Sequence, residues 1–546
     1  MKKNYFFTLF SFCLTTLFAQ QKNADLLIFN ANIYTVDNQF SSKEAVVINN
    51  GKIVTTGTSN ELKKNYKTKK QIDAKGSFVY PGFIDAHSHF YGYGLGLNAV
   101  NLVGTKSWEE CLERIKNFVK TNPKIKWVTG RGWDQNDWEN KQYPNKAELD
   151  KLFPKKFIYL SRIDGHAAIC NEKALKEANV KAGKTLVGGT VETQNGELTG
   201  ILIDNACDLV SEVIPAPNDK EIEKAFLAAE KNCFEAGLTS VSDCGLDYPI
   251  VEAIEKMHIG NRLKMRMYVM LSDAPKNFSF FTRRGIISTD RLTVKGFKFY
   301  GDGALGSRGA CLQHDYEDRA GWNGFMLKNP TYFDSLAVLM KKNNLQMCTH
   351  AIGDSANFTI LRTYAKVLVG KNDLRWRIEH AQVIDPEDFK FFGVYNIVPS
   401  VQPTHATSDM YWAGKRLGEK RLKTAYANKQ LLKENGWIPL GTDFPVEDIQ
   451  PIKTFTAAVF RQDANAFPEN GFQIENALSR EEAIRGMTIW AAKAQFEENQ
   501  KGSIEMGKVA DLVILDADLM KDGFEKIKNA KILYTISNGE VVFKNK

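Results

Sequence analysis

At 546 residues, with 43% hydrophobic and 25% charged residues, the chain is long enough to bury one large core and a second, smaller one, and its composition excludes a disordered or membrane-embedded protein. The net charge of +8 is dispersed, with short lysine clusters such as residues 67–70 and no arginine-rich arm. That is a solvated surface, and it argues against nucleic acid as a partner.

Lys2 and Lys3 precede an apolar run over residues 5–18 that ends at Ala19. The pattern is that of a secretory signal peptide over residues 1–19, with an exported (periplasmic or extracellular) mature chain starting near Gln20. Leu17 stands where a small residue is usual, and Cys13 lies inside the run, away from any lipid-attachment position. The run is short for a membrane span, so no stable insertion is expected after cleavage. The seven remaining cysteines, at 111, 170, 207, 233, 244, 311 and 348, form no C-x-x-C pair and are odd in number. Small buried apolar residues, and no disulfide framework, are expected.

Strand signals open the mature chain at residues 26–30, 45–48 and 52–56, with an Asn49-Asn50-Gly51 turn, and close it at 510–516 and 532–543, with a Ser537-Asn538-Gly539 turn. Few strands at either end are stable alone, so residues 24–80 and 501–546 are expected to pack as one small β-sandwich. Over residues 81–500, strand-like runs (157–161, 239–243, 294–300, 346–350, 376–380, 397–401, 437–443) alternate with helical stretches (220–236, 331–343, 356–369, 480–496). This α/β alternation predicts a parallel sheet, with a closed (β/α)8 TIM-like barrel as the leading form and an open doubly wound sheet as the alternative. Residues 107–213 exceed one strand-helix unit and carry a hairpin signal at Gln194-Asn195-Gly196-Glu197; they read as an insertion at the barrel mouth.

The strongest local feature is Pro81-Gly82-Phe83-Ile84-Asp85-Ala86-His87-Ser88-His89, an apolar strand ending in two histidines one residue apart. Alternate side chains of a strand share a face, so His87 and His89 can reach one metal ion. Four more candidate ligands end apolar runs: Lys298, His350, His380 and Asp443. A lysine among aromatics is costly unless its charge is removed or paired. With eight histidines in the whole chain, this recurrence at strand ends favours a metal centre over scattered surface residues.

The order His-x-His, Lys, His, His, Asp resembles the amidohydrolase superfamily, and in particular its YtcJ-like proteins and N-substituted formamide deformylases. The segments that carry the resemblance are residues 81–89, 130–134, 164–166, 302–308, 350–354, 379–381, 441–443 and 502–516. The family implies a barrel with a β-sandwich built from both termini and metal at the C-terminal ends of the strands. It also implies His87 and His89 as first-strand ligands, Lys298 as a carbamylated bridge between two ions, His350 and His380 as ligands of the second ion, and Asp443 as ligand and catalytic base. Lys295 competes for the bridging role, but alternation puts it on the face opposite Lys298.

A carbamylated lysine is a carboxylate able to bridge two cations, and such a pair activates water and polarises a carbonyl. Zinc leads on ligand type; iron or manganese fits the same donors. Trp133, Trp138, Asp164, His166 and Arg308 are candidates for binding a small-molecule substrate, with packed core as the alternative for the two tryptophans and loop ordering for Arg308. His258 and His314 read as structural, whereas His405 is placed to touch substrate. The expected activity is hydrolysis of a non-peptide, amide-like C–N bond; an esterase, lactonase or cyclic amidase on the same site, or a non-catalytic binding protein, are the alternatives, and a homo-oligomer stays open.

Overall fold

The computed structural model describes residues 21–545. The signal-peptide reading of residues 1–19 falls outside them; no helix of the described residues is long and apolar enough to cross a membrane.

Seven strands lie side by side in chain order: β1 (Phe83–Ser88), β2 (Leu238–Leu246), β3 (Arg266–Ser272), β4 (Leu292–Tyr300), β5 (Gln346–Ala351), β6 (Arg377–His380) and β7 (Val398–Ser400). All neighbours pair parallel. Residues 439–443 take the eighth place without forming a regular strand. On one side Val401 N donates to Pro439 O (3.3 Å) and Gly441 N to Val401 O (3.1 Å); on the other, Ala86 N donates to Leu440 O (3.2 Å) and Asp443 N to His87 O (2.8 Å). The sheet therefore closes into a barrel, which excludes the open doubly wound alternative.

The barrel strands are covered on both faces, which is why they read as continuous apolar runs. Phe297 and Phe299 of β4 point into the main hydrophobic core, and the intervening Lys298 points into the barrel. The helix before β2, Asp219–Glu235, starts in a capping box in which Asn218 and Glu221 exchange side-chain and backbone hydrogen bonds. It buries Ile222, Ala225, Phe226, Ala229 and Cys233 along one stripe. The expected helix over 480–496 is two helices, Arg480–Gly486 and Ile489–Ala494. The break has a physical cause: Met487 O accepts from Ile84 N of β1 at 2.8 Å, and Thr488 Oγ1 bonds back to Ile484 O at 2.6 Å. β3 escaped the sequence reading altogether.

Strands from both ends of the chain form two further sheets. Lys22–Phe29 pairs with Ala45–Asn49 and Tyr66–Asp73, while Leu512–Leu515 pairs with Phe78–Pro81 and Ile532–Ser537. Leu26, Ile28 and Val46 of the first share one core cluster with Leu512, Ile514 and Ile536 of the second. Both Asn-Gly turns take positive φ at each central residue, as tight hairpins require (Asn50 49°, Gly51 71°; Asn538 52°, Gly539 76°).

Between β1 and β2 a six-stranded sheet is inserted, running from Val100–Asn101 to the Gly189–Gln194 and Glu197–Asp204 hairpin, with cores of its own. Phe157–Arg162 belongs to this sheet and not to the barrel alternation in which its sequence placed it. The seven described cysteines are buried and free.

Candidate metal centre

The centre is built where β1 meets residues 441–443. Asp85, buried, accepts from His87 N (3.1 Å), Thr442 N (3.0 Å) and Thr442 Oγ1 (2.6 Å), stitching the first strand to the last. Gly441 is fixed by this closeness: a Cβ there would stand 2.5 Å from His87 N and 2.8 Å from Asp85 Oδ1. The chain then turns at Asp443 through φ 63° and aims its carboxylate back at the two histidines. Asp443 Oδ1 lies 3.2 Å from His89 Nε2 and 3.5 Å from His87 Nε2.

His87 is oriented from behind. Its Nδ1 lies 2.5 Å from Glu379 Oε2, and Glu379 is held by Arg377, whose Nε is 2.6 Å from Oε1; all three side chains are wholly buried. With Nδ1–H given to a carboxylate, the Nε2 lone pair faces the centre. Lys298 Nζ is 3.4 Å from that Nε2. Burial disfavours the Lys298 ammonium, but Tyr300, Cys244, Glu379 and Asp443 nearby hold it above the ordinary lysine range.

Among the described residues, two groups of three donors have ligand atoms within 4.8 Å of one another: His87, His89, Asp443, and His380, His405, Asp443. Buried Nδ1 of His380 and Oδ1 of Asp443 have no hydrogen-bond partner, which in a closed site is costly unless another species satisfies them. Burial, helped by the cation on Lys298, pushes His87 down to about 4. Burial drives His350 and His380 well below the ordinary histidine value as well. For Asp443, burial acts the other way, but His87, His405 and His89 outweigh it and keep the carboxyl ionised. Neutral His87, His350 and His380 beside an ionised Asp443 are donors that fit a divalent transition metal. At His405, by contrast, burial is outweighed by Asp443 and Glu447, which push it up to about 10, so that ring is a cation beside the carboxylate.

His350 lies beside the second donor group and not within it. Its ring packs 4.5 Å from that of His380 and its Nε2 lies 3.4 Å from Gly303 O, while His405 is the third member of the second donor group. His405 Nε2 is 3.4 Å from Asp443 Oδ2 and its Nδ1 is 3.1 Å from Glu447 Oε1.

The centre forms the floor of a cleft of about 740 Å³ lined by the barrel ends and the inserted sheet. Asp164 and His166 line it, as do Arg131 and Asp409. Trp133 and Arg308 do not. Trp133 is buried in the inserted core, where Nε1 donates to Leu160 O at 2.8 Å, because the strand bulges between Arg131 and Trp133 at Gly132 (φ 108°) and turns the indole away. Arg308 pairs with Asp318, Nη2 to Oδ2 3.0 Å, and orders its loop. Trp138 belongs to the same core as Trp133. Lys295 lies over the Phe496 ring at 3.5 Å, His258 Nε2 is 3.0 Å from Met265 O, and His314 is exposed.

Glu379, Arg377, Asp85 and Glu447 were missed as functional residues. Arg377 and Glu379 gave a signal: two charges at i, i+2 within an apolar run place an ion pair on one buried face.

The model of the amidohydrolase family matches residues 70–543. The chain belongs to this family. The putative amidohydrolase YtcJ of Bacillus subtilis is 30% identical over 94% of this chain and 98% of its own. The N-substituted formamide deformylase of Arthrobacter pascens is 26% identical over 94% and 97%. A crystal structure of an uncharacterized metal-dependent hydrolase from Pyrococcus horikoshii superposes with a TM-score of 0.75 at 26% identity, covering 91% of this amidohydrolase and 98% of that chain.

Proposed function

We propose that this amidohydrolase is a metal-dependent enzyme that hydrolyses a non-peptide, amide-like C–N bond of a small molecule, N-substituted formamides being the first class to test. The observation that carries the reading is the convergence of His87, His89, His380 and Asp443, with Lys298 and His350 beside them, on the floor of a cleft where buried His380 Nδ1 and Asp443 Oδ1 have no hydrogen-bond partner. The similarity to a formamide deformylase over almost the whole chain supports the choice of bond.

His87 and His89 would hold one ion and His350 and His380 another, with a carbamylated Lys298 and Asp443, whose carboxylate belongs to both donor groups, completing the set; zinc is first on donor type, and iron or manganese is also suited. Bound there, the metal supplies Lewis-acid activation of water and of the carbonyl. The chain does the rest. Glu379 and Arg377 keep His87 in one tautomer. Carbamylation requires the Lys298 ammonium to lose its proton, and it converts a cation 3.4 Å from His87 into an anion that attracts metal. Asp443 takes a proton from the attacking water and delivers it to the leaving nitrogen, which departs poorly unless protonated. His405, braced by Glu447, holds the other Asp443 oxygen in place during that exchange.

The test is a screen of the metal-loaded protein against formamides, other N-acyl compounds, esters and lactones. Release of free amine is expected. Turnover of esters or lactones with none of any amide would replace this reading by the oxygen-ester alternative.

A further inference from the structure

His166 reaches the cleft from the inserted sheet, not from the barrel. Its Nδ1 lies 2.7 Å from Oδ1 of Asp204, whose side chain is wholly buried. Asp204 is an unusual residue to find there. Its backbone is in a conformation that L-residues seldom adopt, φ 51° and ψ −125°, at a cost of about 1–3 kcal/mol. Its second oxygen is buried without a hydrogen-bond partner. The carboxylate also presses on the loop after β4: a Cβ at Gly303 would stand 2.5 Å from it. Stability alone asks for none of this, since a buried, half-satisfied carboxylate is destabilising. What Asp204 does is clamp one ring. Asp204 N donates to His166 O at 2.8 Å and His166 N to Asp164 Oδ1 at 3.0 Å, so backbone and side chain are both fixed.

With Nδ1 taken by Asp204, Nε2 is the polar atom that His166 offers to the cleft. The ring lies 5.0 Å from that of His350 and 6.5 Å from that of Tyr300. His405 and Glu447 flank Asp443 instead. Two sets of polar groups thus serve different parts of the cleft. In an acyl transfer the proton carrier must face the leaving nitrogen, which leaves the acyl oxygen to the other set.

We infer that His166, clamped by Asp204, holds the acyl oxygen of the substrate through Nε2, so that the inserted sheet contributes a catalytic residue and Asp204 is its positioning residue. The inference rests on the hydrolase reading for its substrate, and predicts a binding property that can be measured without turnover. Methylphosphonate, a small tetrahedral anion, is the probe, titrated calorimetrically into metal-loaded wild type, His166→Asn and Asp204→Asn, alongside metal analysis and kcat and KM on an N-alkylformamide.

Both variants are expected to keep wild-type metal content. His166→Asn should lose about 100-fold in kcat, the scale of one oxyanion donor, with KM within about threefold, and bind methylphosphonate at least roughly 10-fold more weakly. Asp204→Asn, which keeps size and tolerates positive φ, should fall between the two. Loss of metal in His166→Asn, or unchanged methylphosphonate affinity and kcat, would overturn the inference. If wild type hydrolyses no carbonyl compound but its methylphosphonate affinity still depends on His166, the hydrolase reading fails and the oxygen-binding role stands.

Discussion

Glutamine in place of Glu379 probes how the centre is held. The Glu379 carboxylate is buried, 2.5 Å from His87 Nδ1 and ion-paired with Arg377 through Nε–Oε1 at 2.6 Å and Nη2–Oε2 at 3.0 Å. Burial opposes its charge, but Arg377 and His87 outweigh burial and hold it at about 2, so it is ionised at neutral pH. The amide keeps the shape and loses the charge. Arg377 is then a buried cation whose acceptors, the amide oxygen, Ala86 O and Ser400 Oγ, are all neutral. Removing one partner of a buried pair costs about 3–5 kcal/mol, and removing the carboxylate behind a metal-binding imidazole weakens metal roughly 10- to 100-fold. Urea unfolding of chelated samples reads the first, and competitive chelator titration of folded protein the second. Arg377→Met with Glu379→Gln should recover part of the stability and none of the metal affinity. Wild-type metal affinity in folded Glu379→Gln would refute the claim that this carboxylate orients His87.

Lys298→Ala should lose metal and activity together, and added short carboxylic acids should restore part of both by taking the bridging place; full metal content in the variant would remove the bridge. Gly441→Ala should destabilise the fold by about 1–3 kcal/mol in urea and weaken metal binding, because the new methyl must displace His87 N or Asp85. His258, pushed down to about 4 mainly by burial, is neutral in the fold and titrates near 6.5 when unfolded, so its contribution is present above 6.5 and is lost as pH falls toward 4. Between pH 8 and pH 5 wild type should lose about 2 kcal/mol more stability than His258→Gln; equal losses would contradict this. The native protein is expected to begin near Gln20 and to lie outside the cytoplasm, which mass spectrometry of its N-terminus checks.

That His87, His89, Lys298 and Asp443 meet was legible because each ends an apolar run, and period-2 alternation aims such residues at the barrel axis. Alternation fails where the backbone leaves regular geometry. Arg131 and Trp133, at i and i+2, would share one face of a regular strand, but the bulge at Gly132 sends the first to the cleft and the second to the inserted core. Residues 439–443 close the barrel with no regular strand, and His380 and Asp443 turn inward through φ 72° and 63°, values no local propensity announces. The Asp204 clamp and the His405 to Glu447 contact join residues 38 and 42 positions apart, a proximity that only the packed fold reveals.

The most direct measurement pairs metal content with amine release on the same samples: wild type as prepared, after chelation, after reloading, and Asp443→Asn after reloading. Amine release from an N-acyl substrate should vanish on chelation and return in proportion to metal, saturating at about two ions per chain. Asp443→Asn should retain most of its metal and turn over roughly 100-fold more slowly. Undiminished amine release by the chelated protein, or near-normal turnover by fully loaded Asp443→Asn, would contradict a metal-dependent hydrolase with Asp443 as its base.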